Sequence, residues 1–176
     1  KDAIDRTDPA ILKMLSMSGR AESESFKDTI RALNVVPVSI SYEFDPCAPM
    51  KARELAVKES EGYYTKKPDE DITSIATGIM GWKGRVHLHF GEPIHDIPNN
   101  PQELSQIIDR AIIQGQKIFD TSRIANSILE EQPDPDGVLT DVSTRFKTLV
   151  KQTPLKYRTK LLEIYANPLR QFAIQE

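Results

Sequence analysis

One cysteine in 176 residues, Cys47, excludes an internal disulfide and fits a reducing compartment. With no histidine near it in sequence, it reads as a lone thiol close to a strand end and not as a nucleophile. No apolar run approaches the ~18 residues of a membrane-crossing helix, and the opening residues lack a basic-then-apolar signal pattern. Glycine is scarce, eight residues against twelve prolines, so boundaries are frequent without the composition of a disordered linker. There is no internal repeat and no low-complexity tract. What remains is ordinary for a soluble domain with a real core: 39% apolar and 28% charged residues.

Charge is uneven. Between Asp141 and Phe172 stand Arg145, Lys147, Lys151, Lys156, Arg158, Lys160 and Arg170 against Asp141 and Glu163, a segment of +5 in a chain of −3. A basic tail on an acidic body argues against general nucleic-acid binding and permits contact with an anionic membrane surface.

Periodicity gives a coarse order of elements. Asp8-Pro9 opens a helix with Ile11, Leu12, Met14 and Leu15 on its apolar side and Gly19 at its end. Ser23 to Leu33 is a second helix, with Phe26, Ile30 and Leu33 at helical spacing. Val35 to Tyr42 reads as a strand: Val36, Val38 and Ile40 face one way, Val35, Pro37, Ser39 and Ser41 the other. Pro37 donates nothing to a ladder, which puts it at a strand's start, an edge or a bulge. Helices follow over Pro46–Glu61 and Asp69–Met80, a strand over Arg85–Phe90, and a long helix over Pro101–Phe119. From there the pattern is helical throughout: 122–131, 138–150, 155–165 and a short turn after Pro168. This predicts an α/β unit over residues 1–120 and a helical extension over 121–176. Two strands are too few for a self-sufficient sheet, so the sheet is expected to continue in another segment or a partner.

Several apparent motifs fail on chemistry. His87 and His89 share a strand face with Arg85, but two imidazoles fall short of the three or four ligands of a zinc site. The series Gly78, Gly81, Gly84 lacks the Gly-Lys-Ser/Thr ending of a phosphate loop and precedes a strand. Asp134-Pro135-Asp136-Gly137 resembles the start of a calcium loop, yet Arg145 stands where the bidentate glutamate belongs. Both glycine-bearing stretches read as structural turns. The opening residues Lys1 to Asp8 place Lys1 and Arg6 among carboxylates before a helix N-terminus, a place suited to phosphate; on spacing alone an ion-paired terminus is the simpler account.

Val35-Val36-Pro37-Val38 is similar to a short strand block of the glycerolipid acyltransferases. Phe90-Gly91-Glu92-Pro93-Ile94 resembles the close of that family's last core strand. The helix with Phe26-Lys27 that ends at Ala32-Leu33 also has its counterpart there. One bacterial subgroup looks closer still, over Lys1-Asp2 to Asp5-Arg6-Thr7, over Ile11-Leu12-Lys13-Met14, and near Tyr165-Ala166-Asn167-Pro168. The resemblance covers nearly the whole chain. It implies part of a mixed sheet with flanking helices, followed by helices alone. It also implies acyl transfer from acyl-CoA or acyl carrier protein to a glycerolipid hydroxyl, without metal or bound cofactor, at the inner face of the cytoplasmic membrane. Val36, Pro37 and Val38 would border the site; Lys1 and Arg6 would edge its phosphate pocket. The family's His-x4-Asp pair would lie before Lys1. His87 and Glu92 copy its spacing, but an extended strand keeps that carboxylate from the imidazole. A chain without the pair is expected to be inert alone. The other expectations are a non-enzymatic module docking through its basic helices on a membrane or protein, and, last, a two-histidine metalloenzyme.

Overall fold

The computed structural model describes residues 6–17 and 25–174. Lys1 and the helix end expected at Gly19 lie outside them. The chain is mostly helical, with a small two-stranded antiparallel sheet. In order the elements are α1 (Pro9–Met17), α2 (Phe26–Leu33), β1 (Val38–Tyr42), α3 (Ala48–Glu61), α4 (Glu70–Met80), β2 (Val86–Phe90), α5 (Pro101–Gln114), α6 (Asp120–Leu129), α7 (Thr140–Gln152) and α8 (Leu155–Ala173). Contacts divide the chain into two compact units, residues 3–40 with 87–117 and residues 41–86 with 118–176.

In the first unit the helix ends are set by short polar caps. The Asp8 carboxylate accepts from the Ala10 amide, Ser25 accepts from the Asp28 amide, and Asn100 accepts from the Glu103 amide ahead of Pro101. Asn34, at φ 49°, closes α2 in the left-handed conformation that asparagine tolerates. α1 packs on α2 and α5 around Leu12, Ile30, Leu104 and Ile108, with Ile97 beside them. Thr7 fastens the entry of α1, donating from its amide and hydroxyl to Asp109 of α5 at 2.9 and 2.7 Å.

In the second unit α3, α6 and α7 pack on α8. Ala48 and Ala52, one turn apart and fully buried, let α3 come close to it. Ile124, Phe146 and Leu161 fill the centre, and Phe146 meets Tyr165 edge to face at 4.9 Å. Residues 41–86 thus share a core with the C-terminal helices.

Two boundaries differ most from the periodicity. The helix expected to reach Phe119 ends at Gln114, and α6 starts directly after Phe119. More notably, α8 runs through Pro168 instead of breaking before it. Proline deletes one amide donor and crowds the carbonyl four residues back. Here both flanks are held: Leu161, Leu162, Tyr165 and Ala166 are buried before it, and Arg170 after it donates to Asn126 of α6 at 2.9 Å. Tertiary packing has overridden local propensity. Pro168→Ala should therefore raise the unfolding free energy by about 1–3 kcal/mol in urea titrations, by restoring the missing bond.

Candidate functional site

The register of the ribbon decides where its candidate residues point. The Gly91 amide donates to the Pro37 carbonyl and the Glu43 amide to the Arg85 carbonyl, both at 2.9 Å. Antiparallel pairing between these points sets Val38 opposite Phe90 and Ile40 opposite Leu88. Beyond Pro37 the Ile94 amide donates to the Val35 carbonyl, so one extra residue is absorbed on the second strand. Regular pairing starts at Val38, not Val35, and Pro37 lies at the strand's beginning.

The two faces bury the opposite residues from those a free-standing domain would choose. Pro37 and Ser39 are buried. Val38 is 39% exposed, Ile40 53%, Leu88 49% and Phe90 66%. Gly115, just past α5, allows this: a Cβ there would stand 2.4 Å from the His89 ring and 2.8 Å from the Ser39 hydroxyl. The end of α5 therefore lies directly on the small polar face. Val36 and Val38 are on the open side and Pro37 on the covered one. Arg6 is exposed at the entry to α1.

His87 and His89 stack with ring centres 6.4 Å apart, and no cluster of three potential metal ligands exists among the described residues. Cys47 sits beside Ser74, its thiol 3.4 Å from the Ser74 carbonyl, and serves packing. The glycine series is structural as expected. Gly84 has a φ of +64° and a Cβ on it would meet the Glu43 carboxylate at 2.6 Å. The calcium-like turn is likewise closed from within. Asp134 accepts from Lys147 at 2.6 Å and from the Ser143 hydroxyl at 2.7 Å, which together hold its carboxyl below the ordinary aspartate value.

Pairing also occupies much of the basic tail. Lys160 lies 2.9 Å from both Glu59 and Glu163. Arg158 donates to the carbonyls of Lys151 and Thr153, covering the negative end of α7. Sequence reasoning missed two features of the second unit. One is Glu43, 5% exposed in its side chain, which accepts from Arg85 Nε and Nη2 at 3.0 and 2.7 Å and from the Arg85 amide at 2.9 Å. The other is a cleft of about 350 Å³ between α7 and the chain around Pro46, with Phe44, Pro49 and Leu149 in its wall and Trp82 and Arg145 at its edge. The sole tryptophan of the chain and a member of the basic run were the available signals.

No family model, no curated protein and no solved structure matches this chain.

Arg85→Ala should lower the unfolding free energy by about 1–3 kcal/mol in denaturant titrations, because it leaves the Glu43 carboxylate buried without its partner while Arg85 itself is half in water. For Asp134 the folded-state value is the lowered one, so its stabilisation is whole above about pH 4 and fades as pH falls through that lower value. Amide protection factors across residues 132–139 should drop on acidification, and Asp134→Asn should show the reduced protection already at neutral pH.

Proposed function

We propose that this chain is the scaffold part of a glycerolipid-type acyltransferase and transfers no acyl group by itself. The observation that carries this reading is the bare apolar side of the ribbon. Val38, Ile40, Leu88 and Phe90 form two cross-strand pairs that gain stability only when covered, at about 1.5–3 kcal/mol for each side chain fully buried. A two-stranded ribbon is marginal alone and fits the end of a larger mixed sheet. Helix α4 supports the same reading: Ile72, Ile75 and Ile79 form an apolar stripe at helical spacing, and all three are exposed.

In this reading the segment that completes the sheet brings the catalytic histidine and its aspartate. The histidine takes the proton of a glycerolipid hydroxyl as that oxygen attacks the thioester carbonyl of acyl-CoA or acyl carrier protein. Backbone donors hold the oxyanion, and on collapse the thiolate leaves and takes the proton back from the imidazolium. Val36 and Val38, on the open side, and Pro37 beneath them border the reacting groups; Lys1 and Arg6 edge the phosphate. No helix of the described residues is long and apolar enough to cross a membrane, so contact with the lipid substrate would be made at the surface.

The test uses two proteins, the 176-residue chain and the same chain extended by the polypeptide encoded directly upstream. Each is supplied with acyl-CoA or acyl carrier protein and with glycerol-3-phosphate or lysophosphatidic acid. Turnover by the extended protein only, reduced at least tenfold by Ile40→Asp, is the expected result. Turnover by the short chain, or none by the extended one, overturns the reading, as does the absence of any upstream coding segment.

A further inference from the structure

The cleft of the second unit is built from two unlike walls. The β1–α3 junction supplies Phe44, Pro46 and Pro49; α7 supplies Leu149 together with Thr144, Arg145 and Thr148 from successive turns of one side. Trp82 stands at the edge, its ring 4.9 Å from that of Phe44. The Arg145 Cζ lies over the indole at 5.2 Å. Cation–π contact engages the face of a guanidinium and leaves the N–H groups at its rim available. No carboxylate of the described residues comes within ion-pairing distance of Arg145, unlike Lys147 and Lys160 of the same segment. The wall also holds Asp45, one of whose carboxylate oxygens accepts from the Cys47 amide at 2.8 Å. The hydroxyls of Thr144 and Thr148 donate to their own helix, so Arg145, Gln152 and the Trp82 indole N–H are the side-chain donors left to a ligand.

We propose that this cleft binds an amphiphilic carboxylate, with the apolar body on Phe44, Pro46, Pro49 and Leu149 and the carboxylate on the rim of Arg145. The chemistry selects this class. A single planar guanidinium matches a carboxylate through two parallel hydrogen bonds, and its one positive charge balances a carboxylate but not a phosphate dianion. A volume of about 350 Å³ is at the small end of ligand sites, the size for a medium-length alkyl chain or an aromatic ring system. The site is separate from the acyltransferase reading and stands or falls without it.

Trp82, the chain's sole tryptophan, reports on the site directly. Titration with decanoate below its micelle concentration should give a saturable change in tryptophan emission. Affinity should rise about three- to fourfold per methylene from hexanoate until the cleft is full. Decanol, which has the same tail and no charge, should bind at least tenfold more weakly. Arg145→Gln, an exposed change, should weaken decanoate about tenfold with decanol unaffected, and Arg145→Lys should fall between. Circular dichroism verifies that each variant is folded, and Leu149→Phe, which fills the cleft, gives an independent loss of binding by both ligands. No saturable change, or equal binding of decanoate and decanol to wild type and Arg145→Gln, overturns the proposal.

Discussion

Three consecutive residues, Glu43, Phe44 and Asp45, carry the exit of the ribbon into the helices, and the second unit depends on them. Taking a carboxylate out of water costs several kcal/mol unless its oxygens are filled. Glu43 meets that condition with three hydrogen bonds from Arg85 alone. Phe44 enters the helical core in the next step. The Asp45 amide then donates to the Tyr165 hydroxyl at 2.9 Å, and its carboxylate receives the Cys47 amide at the start of α3. Burial pushes the Tyr165 phenol well above its ordinary value, so it remains a neutral hydroxyl at this junction. The backbone amides of Glu43, Phe44, Asp45 and Cys47 are thereby paired while the chain changes from extended to helical.

The ribbon shows what that arrangement leaves undone. On its polar face Ser39 is covered by the end of α5, which Gly115 lets approach, while Ile40 and Leu88 on the apolar face stay about half exposed. The Ser39 hydroxyl is buried without a hydrogen bond, a cost of about 1–3 kcal/mol that a face chosen for its own stability would avoid. A ribbon that accepts this cost and leaves its β-branched and aromatic side chains in water has a sequence suited to being covered from the other side. The same holds for the isoleucines of α4, which make no core of their own.

Local chemistry was legible in the sequence, and distant pairing was not. Asp8, Pro101 and the apolar repeats of α1, α2 and α5 announce their helices, because caps and periodicity act within a few residues. The alternation of Val36, Val38 and Ile40 was also readable, but not which side would be bare. Alternation distinguishes two faces and says nothing of what lies against them. Pro168 misled for the opposite reason: its local penalty is real, and contacts from α6 outweigh it. Glu43 and Arg85 are 42 positions apart, and neither carries a motif. Of the candidate residues, Val38 was locatable on a strand, with Val36 and Pro37 falling just before it, while the cleft of Trp82 and Arg145 required the fold to bring α7 to the β1–α3 junction.

The basic tail is where this difference matters most for function. Read as a run, its seven cations form a uniform surface suited to an anionic bilayer. Once folded they are not equivalent. Lys147 and Lys160 neutralise carboxylates, Arg158 covers the carbonyl end of α7, and Arg170 braces α8 against α6. A cation paired with a carboxylate, as Lys147 and Lys160 are, contributes little to long-range attraction, because its partner cancels its field within a Debye length. Arg145 rests on the indole face of Trp82, as Lys156 rests on the ring of Tyr157, which orients the cation without cancelling its charge. Charge that is fixed in place, uncancelled and set beside an apolar wall is the physical requirement for recognising a small anion, and Arg145 meets it at the cleft.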